Sequence, residues 1–223
     1  MYSEIIINLT KEFVIQIHQK DQSGHDWWHV NRVWKTARYI GAKENADMFI
    51  VELAALLHDV DDRKLKINDP NVIGVPRAKA WLIQQELAND MIARICTIIE
   101  KISFSSSLGN KEFLCLEAQI VQDADRLDAL GAIGIARAFT YGGHKGRPIY
   151  DPDIKPLSSL DFDAYKTNVG TTINHFYEKL LLLKEKMNTS TGKQLALVRH
   201  QFVENFIKQF FLEWDSCYDG SAT

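Results

Sequence analysis

Residues 53–60 read Leu-Ala-Ala-Leu-Leu-His-Asp-Val, and they join an apolar helical face to two side chains that can bind a cation. Around this stretch, apolar residues recur at the three- and four-residue steps of one face of an α-helix, at Phe49, Leu53, Leu56 and Leu57. The same spacing runs through nearly the whole chain, whereas the apolar–polar alternation that marks strands is not evident. These patterns predict an all-α protein.

Turn-forming residues divide the periodic segments into separate helices. We predict helices over about 3–19, 26–40 with Gly41 at its end, 44–60, from Pro76 onward, 90–102 and 111–128. Glycine and proline are frequent over about 141–157, so we predict a long loop there. Periodic segments over about 160–214 predict a C-terminal helical hairpin. At this length we expect a single domain over 1–223, with its core at about 25–130.

The composition is that of a globular protein without a dominant charge. The chain has 223 residues, of which 46% are hydrophobic and 25% charged, and a net charge of -3 at pH 7. This balance argues against disorder and against the basic field that binding to a nucleic-acid polymer requires. The only apolar run near the N-terminus is Ile5 to Ile7, and no stretch reaches the 18 apolar residues of a membrane span. We therefore expect a protein that does not bind membranes. The three cysteines are an odd number without metal-ligand spacing, so we expect a reducing, cytoplasmic compartment.

Three of the predicted helices carry histidine or aspartate on faces that should belong to the core. These residues are His29 on the second helix, His58 and Asp59 at the end of the third, and Asp125 on the sixth. Burying a carboxylate is costly unless a partner or a metal ion compensates its charge. Two imidazoles and two carboxylates form a mixed ligand set for one divalent metal ion, which we expect to be Mn, Fe, Ni, Zn or Mg.

The geometry of a helix limits how these residues can meet. Adjacent residues point about 100° apart on a helix, so His58 and Asp59 can reach one ion only at a helix end. Taken singly, each of the four residues is better explained as a buried, hydrogen-bonded group that ties helices together. Taken together, the spacing of 29 positions from His29 to His58 and of 66 from Asp59 to Asp125 is far less expected by accident.

Three stretches resemble the HD-domain superfamily of metal-dependent phosphohydrolases, which is named for its His-Asp doublet. They are His25-Asp-Trp-Trp-His-Val-Asn-Arg-Val33, Leu53-Ala-Ala-Leu-Leu-His-Asp-Val60 and Gln122-Asp-Ala-Asp-Arg-Leu-Asp-Ala-Leu-Gly-Ala-Ile-Gly134. Within the superfamily they are similar to the small bacterial phosphohydrolases of the YpgQ/YedJ type. The resemblance implies an HD-domain helical bundle whose metal ligands are His29, His58, Asp59 and Asp125.

The resemblance also implies an activity. Members of that group are regarded as nucleotide pyrophosphohydrolases, which use a metal-activated water to split a nucleoside triphosphate into a monophosphate and pyrophosphate. A nucleoside monophosphate phosphatase shares the same metal core, and a regulatory module would bind a nucleotide without turnover; both stay open. Binuclear relatives place extra histidines between the doublet and the distal aspartate, whereas none lies between Asp59 and Asp125 here, which favours one ion. We expect a nucleotide or another small phosphorylated substrate, and a monomer or homodimer.

Residues next to the presumed ligands are candidates for acid–base chemistry. Asp61 and Asp62 follow the doublet closely and are candidates to orient or deprotonate the water. The alternative for both is that they cap or solvate the helix end. His25 is a candidate acid or phosphate donor, with helix capping as its alternative.

Other residues are candidates for binding the substrate or supporting the metal site. Lys64 is placed to meet phosphate, and Arg32 can either bind phosphate or hold a ligand carboxylate in place. Asp128 lies one turn from Asp125, where it can contact the metal-bound water. Arg126 is a candidate to hold a ligand carboxylate in place. A solvated surface position is the alternative for Lys64.

A glycine-rich segment over 142–151 places cations where backbone N–H groups are accessible. His144, Lys145 and Arg147 lie on it, and such a segment suits an anionic substrate. Solvated loop charge is the alternative. A triphosphate carries negative charge beyond the bond that breaks, so Lys145 and Arg147 are the candidates to bind it.

Overall fold

The computed structural model describes residues 2–19, 26–61, 74–102, 114–157 and 170–216, and all regular structure within them is helical, as the periodicity predicts. The helices are α1 (Tyr2–His18), α2 (Trp27–Glu44), α3 (Met48–Leu57), α4 (Pro76–Gln84), α5 (Asn89–Ile102), α6 (Leu116–Asp128), α7 (Gly131–His144), α8 (Thr172–Glu178) and α9 (Ser190–Trp214). Short 3₁₀-helices, Leu180–Leu182 and Lys184–Lys186, lie between α8 and α9. None of the helices in these ranges is long and apolar enough to cross a membrane.

The described residues form two compact units. The first comprises those within Met1–Asp125 and Asn188–Gly192, and the second those within Arg126–Met187 and Lys193–Thr223. A single domain over 1–223 stays a prediction.

Helix α3 lies at the centre of the first unit. Glu52 is its only charged residue, and Ile50, Val51 and residues 53–57 are fully buried. A helix that is apolar on every side needs neighbours on every side, and α3 packs against α1, α2 and α5. The two residues that follow α3, His58 and Asp59, are therefore held at the end of a buried helix.

Side-chain caps or a proline begin three helices of the first unit. Asp26 accepts a hydrogen bond from the backbone N–H of His29, and Asp47 accepts one from the backbone N–H of Ile50. Pro76 is the first residue of α4, as predicted.

Two helix ends differ from the predicted ones. Helix α2 does not end at Gly41 but continues to Glu44, and Asn45 takes the left-handed conformation with a φ of 55°. Asparagine tolerates this conformation, so α2 ends one turn beyond the glycine. Helix α3 is shorter than predicted because the Asp47 cap begins it at Met48, and it ends at 57. The predicted start of the sixth helix, at 111, lies outside the described residues. Within them, α6 begins at 116.

The loop predicted over 141–157 begins later than expected. Helix α7 continues through Gly142 and Gly143 to His144. Glycine is usually unfavourable in a helix, but here it meets a packing requirement, since a Cβ on Gly142 would lie 2.2 Å from Oγ1 of Thr172. The glycine therefore serves a close contact within the second unit rather than a turn.

The first arm of the predicted C-terminal hairpin is broken into short pieces. Residues 158–169 lie outside the described part of the chain, and α8 covers only seven residues before the two 3₁₀-helices. The apolar positions Phe176, Leu180, Leu183 and Met187 are buried as their spacing predicts. A three-residue step fits a 3₁₀-helix as well as an α-helix, so the spacing did not distinguish the two. The second arm, α9, is one helix of 25 residues.

Candidate metal centre

His29 enters the site from the first turn of α2. The cap fixes this turn, because Oδ1 of Asp26 accepts a hydrogen bond from the backbone N–H of His29 at 2.9 Å. The imidazole is 1% exposed and lies on the same helical face as the buried side chains of Val33 and Ala37. Packing along α2 therefore fixes the position of the ring.

His58 and Asp59 enter the site from the end of α3. His58 is the C-cap of α3 and has helical backbone angles, and Asp59 lies in the turn that follows. The doublet thus occupies a helix end, which is where two adjacent side chains can reach one ion. Nδ1 of His58 lies 2.8 Å from the carbonyl oxygen of Ala55. Since a carbonyl can only accept, Nδ1 donates in this contact, and Nε2 is the ring nitrogen that faces the cluster.

The four predicted ligands come together in the first unit. Oδ2 of Asp59 lies 3.4 Å from Nε2 of His29 and 3.5 Å from Nε2 of His58. Oδ1 of Asp125, on α6, lies 3.5 and 4.0 Å from the same two nitrogen atoms. One ligand atom from each of His29, His58 and Asp125 lies within 4.8 Å of the other two.

This cluster fits a divalent metal ion. Nε2 of His58 is buried and has no hydrogen-bond partner among the described residues, which is costly for a polar atom unless something else binds it. Ligand atoms that share one ion at about 2.1 Å lie roughly 3 to 3.5 Å apart, close to most of the distances seen here. Two imidazole nitrogens with two carboxylates are a donor set typical of transition metals.

The cluster is buried on one side and accessible on the other. The His29 and His58 side chains are almost completely buried, whereas Asp125 is 45% exposed. Solvent can therefore reach the cluster at Asp125.

Asp61 lies two residues beyond the doublet, and its carboxylate binds the start of α4. Oδ1 accepts a hydrogen bond from the backbone N–H of Arg77 at 3.2 Å, and Oδ2 accepts one from that of Ala78 at 3.0 Å. The side chain is 9% exposed. This geometry corresponds to the capping alternative, although the helix that Asp61 caps is the next one along the chain.

Several predicted residues cannot be placed against the cluster. His25, Asp62 and Lys64 lie outside the described residues. Arg32 is half-buried one turn beyond His29 on α2. The roles predicted for these four residues stay predictions.

Asp128 and Arg126 have partners within the second unit. Oδ2 of Asp128 accepts a hydrogen bond from Nη1 of Arg137 at 2.7 Å, and the Asp128 side chain is 4% exposed. Nη1 of Arg126 donates to the carbonyl oxygen of Lys186. Sequence reasoning missed Arg137, because an arginine on the following helix, nine residues from its partner, leaves no periodic signal. The roles predicted for Asp128 and Arg126 at the metal ion stay predictions.

The predicted phosphate-binding cations also lie in the second unit. Lys145 is exposed, with its ammonium 5.7 Å from the centre of the Tyr141 ring, and His144, the last residue of α7, is exposed too. Arg147 is half-buried, and its backbone N–H donates to the carbonyl of Gly142 at 2.9 Å. Their role toward a substrate stays a prediction.

One partly buried histidine of the second unit lies near these cations. Burial, together with the positive charges of Lys179 and Arg147, lowers the pKa of His175 from 6.5 to about 3. This imidazole is therefore neutral at physiological pH.

Comparison with known proteins places these features in a family. Residues 27–130 match the model of the HD domain family. The chain is 42% identical over 201 residues to the protein YpgQ of Bacillus subtilis, covering 89% of each chain. The crystal structure of YpgQ in complex with ADP matches with a TM-score of 0.74 and 37% identity, over 94% of this chain and 95% of that one. The crystal structure of an HD-superfamily hydrolase from Bacillus thuringiensis matches with a TM-score of 0.75 and 43% identity, over 96% and 98%.

Proposed function

We propose that this chain, which belongs to the HD-domain superfamily and is YpgQ-like, hydrolyses nucleoside triphosphates to a monophosphate and pyrophosphate. Its fold is that of the HD-superfamily hydrolases. The observation that carries the proposal is the cluster of two imidazole nitrogens and two carboxylates at the ends of helices. Cleavage of a phosphoanhydride requires charge neutralisation on phosphate oxygens and a more acidic water, and a divalent ion bound to this cluster would supply both.

We assign the ion to His29, His58, Asp59 and Asp125. The Ala55 carbonyl holds His58 in the tautomer whose Nε2 accepts a cation, as outer partners of metal-bound histidines usually do. The two carboxylates offset part of the charge of the ion. The accessible side of the cluster, at Asp125, leaves room for a phosphate group to approach.

A single ion is supported by the ligands available. The sequence has no histidine between Asp59 and Asp125. Among the described residues, one group of at least three histidine, cysteine or acidic side chains is close enough to hold a metal ion. A second ion would need ligands from outside the described residues.

A nucleotide substrate is supported by the YpgQ relative, whose crystal structure is a complex with ADP. ADP contains a phosphoanhydride bond, which is the kind of bond that the proposed reaction breaks. The high coverage of that match, 94% of this chain, supports carrying the nucleotide ligand over.

A triphosphate also requires cations beyond the metal ion. We propose that Arg32 binds a phosphate near the metal site, since it is half-buried one turn from His29. We propose Lys145 and Arg147 for the remaining phosphates, because they are the clustered cations after α7.

The water molecule needs a residue that orients it. Both carboxylate oxygens of Asp61 accept hydrogen bonds from α4, so we assign this carboxylate to capping. Asp62 and His25 are then the candidates to orient or deprotonate the water.

Identification of the products tests the proposal. Protein loaded with Mn²⁺ is incubated with a panel of nucleoside mono-, di- and triphosphates, and the phosphorus products are resolved by NMR. We expect pyrophosphate and a monophosphate from a triphosphate, and loss of turnover in the Asp59→Asn protein. Orthophosphate released from monophosphates would identify the phosphatase instead, and tight binding without any product would identify a regulatory module.

A further inference from the structure

Helix α6 carries a second aspartate that takes no part in the cluster. Asp123 is fully buried, whereas Asp125, two residues along, is accessible. Two residues correspond to about 200° around a helix, so the two carboxylates leave α6 on nearly opposite sides. Asp123 therefore binds something other than the ion of Asp125.

The partners of Asp123 all come from residues 188 and 189. Oδ1 accepts hydrogen bonds from the backbone N–H of Asn188 at 2.8 Å and from its side-chain Nδ2 at 2.9 Å. Oδ2 accepts one from the backbone N–H of Thr189 and one from its hydroxyl, both at 2.8 Å. A carboxylate has about four acceptor positions, so all of them are filled.

The segment that supplies these donors is itself fixed. The Thr189 hydroxyl accepts a hydrogen bond from the backbone N–H of Gly192 at 2.9 Å, and Glu44 accepts one from that of Thr191 at 2.8 Å. A Cβ on Gly192 would lie 2.3 Å from Oδ2 of Asp123, so a side chain at this position would collide with the carboxylate. Neither side of the contact can shift without losing several hydrogen bonds.

We propose that Asp123 is a positioning residue for the metal ligand Asp125. Its four hydrogen bonds fix the rotation of α6 about its axis, and with it the direction of the Asp125 carboxylate. A side-chain tip roughly 6 Å from the helix axis moves about 0.5 Å when the helix rotates by about 5°, and about 0.5 Å is the tolerance of a functional site. Asp125 depends on this support because its own side chain is nearly half exposed. The inference rests on the metal site of the proposed function and not on its substrate.

The affinity of the full-length, metal-free protein for Mn²⁺, measured by calorimetry, tests this role. Asp123→Asn replaces one acceptor oxygen by an NH₂ group, which faces the donors of Asn188 and Thr189. We expect the dissociation constant for Mn²⁺ to rise about 10- to 100-fold, with the helical circular dichroism unchanged. Thr189→Val removes two of the hydrogen bonds of this contact at constant size and should weaken Mn²⁺ binding in the same direction. Thr189→Ser keeps the hydroxyl and should bind as the wild type does.

Thr10→Val is the matched control for a general loss of stability. The Thr10 hydroxyl is buried in the first unit, donates to the Ile6 carbonyl and accepts from Nε1 of Trp81. Its replacement should lower stability and leave Mn²⁺ affinity unchanged. Unchanged affinity in Asp123→Asn and Thr189→Val, or an equal loss in Thr10→Val, would overturn the positioning role. If Asp123→Asn does not fold, the Thr189 pair decides. A wild-type protein that binds no Mn²⁺ or other divalent ion would instead overturn the metal site itself.

Discussion

Oδ2 of Asp61 accepts a hydrogen bond from the backbone N–H of Ala78 at 3.0 Å, and so ties the turn after α3 to the first turn of α4. Its other oxygen accepts from the N–H of Arg77. Pro76 has no N–H, so these two are the first donors that α4 cannot satisfy by itself. These two hydrogen bonds are those of a capping residue, which is the alternative to the catalytic role predicted for Asp61.

Asp61→Asn distinguishes the two roles of this residue. The amide keeps one acceptor oxygen, so we expect the free energy of unfolding to fall by about 1 kcal/mol, and turnover to change by less than about 3-fold. Urea denaturation and steady-state kinetics measure the two effects. A loss of about 100-fold or more in turnover at unchanged stability would return Asp61 to the role of general base.

Asp128→Ala tests whether this residue serves the fold or the substrate. The replacement removes the buried carboxylate that pairs with the partly buried Arg137 guanidinium, so we expect a loss of about 3 kcal/mol in the free energy of unfolding. Metal content should not change. Glu185→Ala is the control, because Glu185 is 81% exposed in its contact with Lys184 and its loss should cost less than about 1 kcal/mol. Reduced metal binding at unchanged stability would place Asp128 at the metal site.

His175 should make the stability of the protein depend on pH. Its folded-state pKa of about 3 lies below the usual 6.5, so between these values the unfolded chain binds a proton that the folded chain does not. The free energy of unfolding therefore falls as the pH is lowered through 6.5 towards 3. Between pH 7.5 and 5, we expect the free energy of unfolding to fall less in His175→Asn than in the wild type. Urea denaturation measures both falls, which should differ by at most about 2 kcal/mol. Equal losses in both proteins would contradict the low pKa.

Arg147→Ala tests whether this cation binds a triphosphate. A charge-assisted hydrogen bond contributes about 1.5 to 3 kcal/mol, so turnover of a triphosphate should fall roughly 10- to 150-fold at unchanged metal content. A small activated phosphoester should be affected much less. Lys155→Ala removes an exposed cation elsewhere in the same loop and serves as the control. Equal losses on both substrates would mean that Arg147 supports the fold, and no loss on either would leave it a solvated surface residue.

Helical periodicity predicts the helices of this chain better than their ends. The burial of an apolar face follows from local sequence, as α3 shows. The ends depend on single residues with special conformations or contacts. Asn45 ends α2 because it adopts a positive φ, and Gly142 stays helical because Thr172 leaves no room for a side chain. Neither fact can be inferred from the spacing of apolar residues.

Asp125, which the sequence pattern places on a core face, is 45% exposed instead. The proposed ligands His29 and His58 are predictable because histidine on a core face conflicts with burial. Their supporting residues are not, since those are ordinary polar residues that become partners only in the folded chain. Asp123 and Asp125 share one helix, and the sequence pattern places Asp125 on the core face, whereas Asp123 is the buried residue. The donors at 188 and 189 lie about 65 positions away along the chain.

Metal stoichiometry tests the central claim, that His29, His58, Asp59 and Asp125 hold one divalent ion. Elemental analysis of the dialysed protein and Mn²⁺ titration of the metal-free protein measure it. His200→Ala is the control for His58→Ala, because His200 is also buried but pairs with Glu204. We expect one tightly bound ion per chain in the wild type and in His200→Ala, and its loss in His58→Ala and Asp59→Ala. Two tightly bound ions per chain, or undiminished binding after either ligand is replaced, would contradict it.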